Sequence, residues 1–349
     1  MTPHQRRSGV GPELIGAEQI SLRLWAPDHR TVDAVVDGVA TALRREDDGH
    51  FSGVVTGRVG SRYGFRVPGE NRVLPDPASR WLPDGPDGLS AVVDLEAFTW
   101  HDAAWPGISL AGQVLYELHV GTCTPEGTWR AAEALLPDLR DLGVTAIQMM
   151  PVSEFAGRFG WGYDGVQWFA PFHGYGAPAD LQHFVDTAHG LGLAVVLDVV
   201  YNHLGPSGTY LGVFNRRWKS ERHDNEWGEA LNFDGEGAVG MRELVLENVR
   251  YWVQTFHIDG FRLDAAQQLH DDSAEHIIAA VARTARAAAR PREVILLAEH
   301  EGQRAQLMRA PEQGGYGLDG IYNEDFHHSC RVALTGARSV SVRLPGHQQ

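Results

Sequence analysis

Residues 257–266 read "HIDGFRLDAA". The surrounding residues are apolar, as in a buried strand, yet the run ends with Arg262 two residues before Asp264. Residues i and i+2 of a strand share a face. An Arg and an Asp thus leave a hydrophobic element in the same direction, and a charged pair in that position needs a shared polar destination.

That destination emerges from the chain around it. Six strand-like runs follow residue 112: "QVLYELHV" (113–120), "VTAIQMMPV" (144–152), "LAVVLDVVYNH" (193–203), "FHIDGFRLDA" (256–265), "EVILLAE" (293–299) and "LDGIYNEDF" (318–326). Between them lie "WRAAEALLPDLRDLG", "PADLQHFVDTAHGLG", "GMRELVLENVRYWVQTF" and "SAEHIIAAVARTARAAA". These carry apolar residues at helical spacing. Alternating strands and helices imply a parallel sheet with helical crossovers, whose strands are buried on both faces. A doubly wound sheet and a barrel both satisfy this pattern. Polar residues decide between them, because they gather at the C-terminal ends of several runs: Glu117 and His119; Asp198, Asn202 and His203; Arg262 and Asp264; Glu299; Asp325. A (β/α)8 TIM barrel collects its functional groups on that rim. The expected fold is a TIM barrel, incomplete at about six strands, over residues 101–336.

Ahead of it, residues 18–100 hold short runs that each end in a turn signal: "ISLRLWAP", "TVDAVVDG", "FSGVVTG" and "YGFRVPG". They predict a small N-terminal β-sandwich domain, followed by a proline-rich crossing at 75–88. Residues 1–17 are expected to be disordered. The tail 337–349, "ARSVSVRLPGHQQ", lacks helical periodicity and is expected to be loosely attached.

The 349 residues carry a net charge of −15. Nucleic acid and anionic membrane call for a basic patch, so neither is an expected partner. A neutral sugar suits the composition. The N-terminus has no long apolar run, no stretch is long enough to span a membrane, and the two cysteines, Cys123 and Cys330, have no metal or disulfide spacing. Reduced thiols and a cytoplasmic setting are expected.

Asp264 and Glu299 end successive strands and can face one cavity. Two carboxylates suit glycosidic cleavage, one attacking the sugar carbon while the other protonates the departing oxygen. Arg262 is placed to hold and orient Asp264, with Asp198 as its buttress. Glu299 follows "VILLA", an apolar wall that suits a general acid. His203 is placed to donate to a sugar hydroxyl. In "GRFGWGYDGVQWFAPFHGYG" (157–176), Trp161, Tyr163, Trp168, Phe172 and Tyr175 are candidate stacking platforms, with Tyr163 preferred. "NEDFHHS" gathers Glu324, Asp325, Phe326, His327 and His328 and reads as a sugar-contacting loop. No second ligand-spaced set joins it, so neither a metal nor another cofactor is expected.

These motifs resemble the α-amylase family of glycoside hydrolases. "DVVYNH", "GFRLDAA" and "LLAEHE" are similar to its first three signatures, in order, on consecutive strands. The resemblance covers about residues 20–336. It implies Asp264 as nucleophile and Glu299 as acid/base. It also implies substrate contacts at Tyr163, Asp198, Asn202, His203, Arg262, Leu263, Ala265, Ala266, Gln267 and the 324–328 segment. Within the family, "WAPDHRTVDAVVDG", "YELHVGTCTPEGTW" and "EDFHHSCRVALTG" resemble a branch that cleaves the α-1,4 bond beside a terminal trehalose and releases that disaccharide. A debranching-type hydrolase shares part of the pattern. The family's fourth signature, an Asn-His-Asp segment, is not found in this chain, which ends fifty residues after Glu299. That departure implies a truncated, poorly soluble or inactive form, in effect a glucan-binding remnant.

Overall fold

The computed structural model describes residues 6–336, so the expectation for the tail 337–349 lies outside the described residues. Eight short strands form two antiparallel sheets: β1 (Gly11–Gly16), β2 (Gln19–Trp25), β3 (Asp33–Val36), β4 (Val39–Ala42), β5 (Arg44–Arg45), β6 (His50–Thr56), β7 (Arg62–Arg66) and β8 (Ser90–Ala91). One sheet has the order β1-β2-β6-β5 and the other β4-β3-β7-β8. Ile20, Leu22 and Leu24 of β2 alternate inward with Phe51 and Val55 of β6. They meet Ala34 and Val36 of β3 and Tyr63 and Phe65 of β7 in one core. This is the expected sandwich.

Its boundary differs from the expectation. Residues 11–16, placed in a disordered terminus by their lack of apolar pattern, pair antiparallel with β2. Glu13 Oε1 accepts the backbone N–H groups of Arg7 (2.8 Å) and Ser8 (2.6 Å), and Arg6 Nη1 donates to Ser21 Oγ at 2.7 Å. Polar side chains fasten this segment together with Leu14, which packs on the sandwich core, and Val10, which is buried in the main core.

The sandwich is seated firmly on the second domain. Phe214, from the long connection after residue 199, is fully buried in the sandwich core and meets Phe65 edge-on at 6.2 Å. Trp25 packs so tightly on the helix Ala238–Thr255 that a Cβ on Gly240 would lie 1.9 Å from the indole.

The second domain is built on β9 (Leu115–Leu118), β10 (Ala146–Met149), the two-stranded β11 (Ser153–Glu154) and β12 (Gln167–Pro171), then β13 (Ala194–Val199), β14 (Gly260–Leu263), β15 (Ile295–Ala298) and β16 (Gly320–Ile321). Six of them form one parallel sheet in the order β16-β15-β14-β13-β10-β9, matching the six expected runs. β10, β13, β14 and β15 are buried at every position, as a sheet covered on both faces requires. Helices Pro178–Gly190, Ala238–Thr255 and Ile277–Ala289 cover it, each presenting its apolar side to the main core. The first expected helix is split in two, Trp129–Glu133 and Leu136–Leu142. Thr128 caps the first, and Gly143, at φ 97°, ends the second.

At the N-terminal end of the sheet lies a buried charge cluster that the sequence did not announce. His189 is enclosed between Asp102 (Nδ1 to Oδ2, 2.8 Å) and Asp259 (Nε2 to Oδ2, 2.8 Å), and its side chain is wholly buried. His257 Nδ1 also meets Asp102, at 2.7 Å. Trp105 stacks on His189 at 4.7 Å, and its indole N–H donates to Asp259 Oδ1 at 2.8 Å. Arg292 Nη1 lies 3.3 Å from the same oxygen. Burial opposes the charge on His189, but the bonds to the two carboxylates outweigh it and raise the pKa. Asp102 is likewise opposed by burial but pulled down to about 2 by His189 and His257.

Candidate active site

Strand register brings the charged groups together. Asp198 on β13 is the register partner of Arg262 on β14, and Leu263 pairs with Ala298 on β15. Asp264 and Glu299, each one residue further on, therefore leave adjacent strands side by side. Arg262 is the hub. Its Nη1 donates to Asp198 Oδ1 (3.0 Å) and Oδ2 (2.8 Å) and to Asp264 Oδ1 (2.7 Å), while Nη2 meets Glu299 Oε2 at 2.9 Å. One cation thus serves three carboxylates in a nearly buried setting. Such charge-assisted bonds are short and directional. Burial works against the charge of Arg262, yet Asp198, Glu299 and Asp264 together raise its pKa well above the ordinary value. Burial pushes Asp198 up to about 7 even with Arg262 pulling the other way.

Asp264 Oδ2 accepts from Asn202 Nδ2 at 2.9 Å, so both of its oxygens are held. Tyr163 OH donates to Asp198 Oδ2 at 3.0 Å, which brings the preferred aromatic into the cluster. Glu299 Oε2 accepts the backbone N–H of Ala265 at 3.0 Å. The apolar wall expected from "VILLA" is absent at the carboxylate. Those residues point into the core, and the neighbours of Glu299 are a guanidinium and an amide.

Other expected site residues are placed differently. Leu263, Ala265 and Ala266 are buried and shape the loop from within, with Ala265 at φ 39°. Gln267 is half-buried. Trp168, Phe172 and Tyr175 belong to the hydrophobic core. Phe172 stacks on Phe155 at 3.9 Å, so these rings support the loop and are not sugar platforms. Trp161 is exposed. The segment expected as a sugar-contacting loop is instead the start of a helix, Glu324–Thr335. The Asn323 side chain caps it by accepting the Phe326 N–H at 2.8 Å, and Glu324 and Asp325 occupy its first turn. Acidic residues at a helix N-terminus complement its dipole. Glu324 Oε2 lies 3.6 Å from His328 Nε2, while Phe326 is exposed and His327 packs on His328. Among the described residues, no bond joins this turn to Asp264 or Glu299.

Two neighbours of the cluster escaped the sequence reading. Tyr322, just beyond β16, presents its ring to Arg262 at 5.8 Å and donates its hydroxyl to Gln148 on β10. Gln148 Nε2 in turn donates to Glu117 Oε1 at 3.3 Å. Position at a strand end was the available signal for Tyr322, but the acidic residues that follow it drew the attention instead.

The alpha amylase catalytic-domain profile matches residues 119–228. The malto-oligosyltrehalose trehalohydrolase of Deinococcus radiodurans is 43% identical over 336 residues, covering 96% of this chain and 54% of that protein. Over residues 119–228 the chain is similar to the α-amylase family. The trehalohydrolase of Saccharolobus solfataricus is 39% identical over 91% of this chain and 56% of its own length. Among solved structures, a Salmonella typhimurium protein named as an alpha amylase superposes with a TM-score of 0.88 at 37% identity, covering 95% of this chain and 56% of that one. The chain therefore spans about half the length of the relatives it matches. Among the described residues, no helix is long and apolar enough to cross a membrane.

Proposed function

We propose that this cleft belongs to a retaining glycoside hydrolase that cuts the α-1,4 bond next to the terminal trehalose of malto-oligosyltrehalose. The observation that carries the reading is the arrangement of Asp264 and Glu299 on one guanidinium, Arg262. Two carboxyl groups on one side of a rim, held by a common cation, are the equipment of two-step glycosidic cleavage. Asp264 has both oxygens fixed and serves as nucleophile. It attacks the anomeric carbon as Glu299 gives a proton to the departing oxygen. Glu299 then takes a proton from the water that frees the sugar from Asp264. Asp198 and Tyr163 keep Arg262 in place beneath the reacting carbon. The choice of trehalose rests on the names of the relatives and on the quoted motifs, and the α-glucan class rests on the family. A partner set without nucleic acid or anionic membrane accords with the net charge of −15, and the proposed setting is cytoplasmic.

The test is to incubate the chain with malto-oligosyltrehalose and, separately, with branched glucan, and to quantify trehalose and the anomer first formed. Trehalose release with retention is expected. Debranching alone would reassign the substrate, and saccharide binding without turnover would leave a glucan-binding protein.

A further inference from the structure

No metal was expected from the sequence, yet the turn that joins β5 to β6 gathers the groups for one. It reads "EDDGH" over residues 46–50. The Glu46 N–H donates to the His50 carbonyl at 2.7 Å, and Gly49, at φ 86°, lets the chain reverse between them. The alternate side chains Glu46, Asp48 and His50 thereby converge, with one ligand-type atom of each within 4.8 Å of the others.

Acidic turns are common on surfaces, but two features set this one apart. The first is His50. Its side chain is only 2% exposed, and among the described residues neither ring nitrogen makes a hydrogen bond. Nδ1 lies 3.0 Å from Asp48 Oδ1, at an angle too oblique for one. Leaving a buried imidazole without a partner is costly. Two ligand atoms side by side, not bonded to each other, suit neighbouring corners of a metal's shell, where bonds of about 2.0–2.2 Å at right angles set their ends about 3 Å apart. Across the ring, Glu243 Oε2 of the helix Ala238–Thr255 stands 3.7 Å from Nε2. A carboxylate behind the second nitrogen is the usual backing of a metal-bound histidine. The second feature is charge. Arg23 on β2 reaches Glu46 Oε2 (3.0 Å), Asp48 Oδ2 (2.8 Å) and Glu243 Oε1 (3.0 Å). One guanidinium thus faces three carboxylates, and with the imidazole neutral, as a metal ligand must be, two negative charges are left over.

We propose that Glu46, Asp48 and His50 bind one divalent first-row metal ion, with Glu243 as the carboxylate behind His50, so that the ion fastens the sandwich to the second domain. One imidazole and two carboxylates suit Mn2+ or Zn2+, whereas Ca2+ and Mg2+ favour oxygen throughout. The ion sits at a seam that packing already marks. Trp25 is the register partner of His50, and its indole rests on Gly240 of the same helix that carries Glu243.

The experiment takes the whole chain, stripped with EDTA and dialysed, and titrates it with Mn2+, Zn2+ and Ca2+ by calorimetry, with electron paramagnetic resonance counting free Mn2+. One tight equivalent of Mn2+ or Zn2+ and a raised unfolding midpoint are expected, with Ca2+ weaker. His50→Gln should abolish that equivalent. Asp48 is exposed, so Asp48→Asn tests the same ligand set should the His50 variant not fold. Glu243→Ala should weaken binding by about 10–100-fold, and an unchanged affinity would overturn the link to the second domain. Among the described residues, His223, Asp234 and Asp272 form another group of ligand-type side chains, so Asp272→Asn serves as the control and should bind as the wild type does. The proposal is overturned by an absence of saturable binding, by binding that Asp48→Asn leaves intact, or by binding lost in Asp272→Asn instead. Ca2+ binding tighter than Mn2+ and Zn2+ would overturn the class of ion. None of these readouts requires turnover, so they stand apart from any result on trehalose release.

Discussion

Replacing Asp102 with Asn removes the carboxylate that His189 and His257 share beneath the sheet while keeping its shape and one oxygen. The Asp102 side chain is only 3% exposed, so solvent screening is slight. Its pKa falls from the ordinary 3.8 to about 2, a shift worth about 2 kcal/mol at ~1.4 kcal/mol per unit. A depressed carboxyl pKa stabilises the fold above about pH 4 and loses that effect as pH falls through about 2. His189 has the opposite sign: its raised pKa stabilises the fold fully below its ordinary 6.5, and the effect is lost as pH rises through the folded value. The cluster is therefore strongest between about pH 4 and 6.5. Urea unfolding of the wild type and Asp102→Asn at half-unit steps from pH 2 to 8 tests this. The stability gap should be about 2 kcal/mol near pH 5 and should shrink toward both ends. A gap constant across the whole range would show that the loss comes from packing or neutral hydrogen bonding, and the charge argument would be refuted.

Three further outcomes are expected. Arg262→Met should destabilise by about 3–5 kcal/mol, because it leaves buried carboxylates without a cation; a loss under ~1 kcal/mol in chemical denaturation would show the hub to be dispensable. Gly240→Ala should cost about 1–3 kcal/mol by overpacking Trp25, read as a lower melting midpoint, and an unchanged midpoint would mean that the seam yields freely. Asp264→Asn should lower trehalose release by several orders of magnitude while calorimetry shows little change in maltotetraose binding, the pattern of a group needed only for the chemical step; comparable turnover would take the nucleophile role from Asp264.

The rim was legible because strand period and register are local rules. Arg262 and Asp264 share a face by alternation, and Asp198 reaches Arg262 because the strands that carry them are adjacent and in register. Glu299 was found by the same rule, but its surroundings were not, since "VILLA" reports the strand interior and the carboxylate lies beyond it. Aromatic residues in a glycine-rich loop read equally well as platforms or as packing, and only burial separated Tyr163 from Trp168, Phe172 and Tyr175. The helix at Glu324 had a readable start in Asn323 followed by two acids, overshadowed by the polar density of the segment. The His189 cluster was invisible because its members come from positions 102, 105, 189, 257, 259 and 292, and no local pattern joins them.

Phe214 gives the sandwich a debt to its neighbour. The turn signals at 18–100 delimit a region that looks like an independent module, yet part of its interior is furnished by a side chain more than a hundred residues downstream, and its Trp25 is seated in a notch that only Gly240 leaves open. A recombination event that moved residues 18–100 onto another barrel would transplant a core with a hole at the Phe214 position and a tryptophan without a socket. Exchange between relatives would have to carry the 200–237 connection and a glycine on the receiving helix together with the strands. The heritable unit is therefore a pair of domains that must change in step.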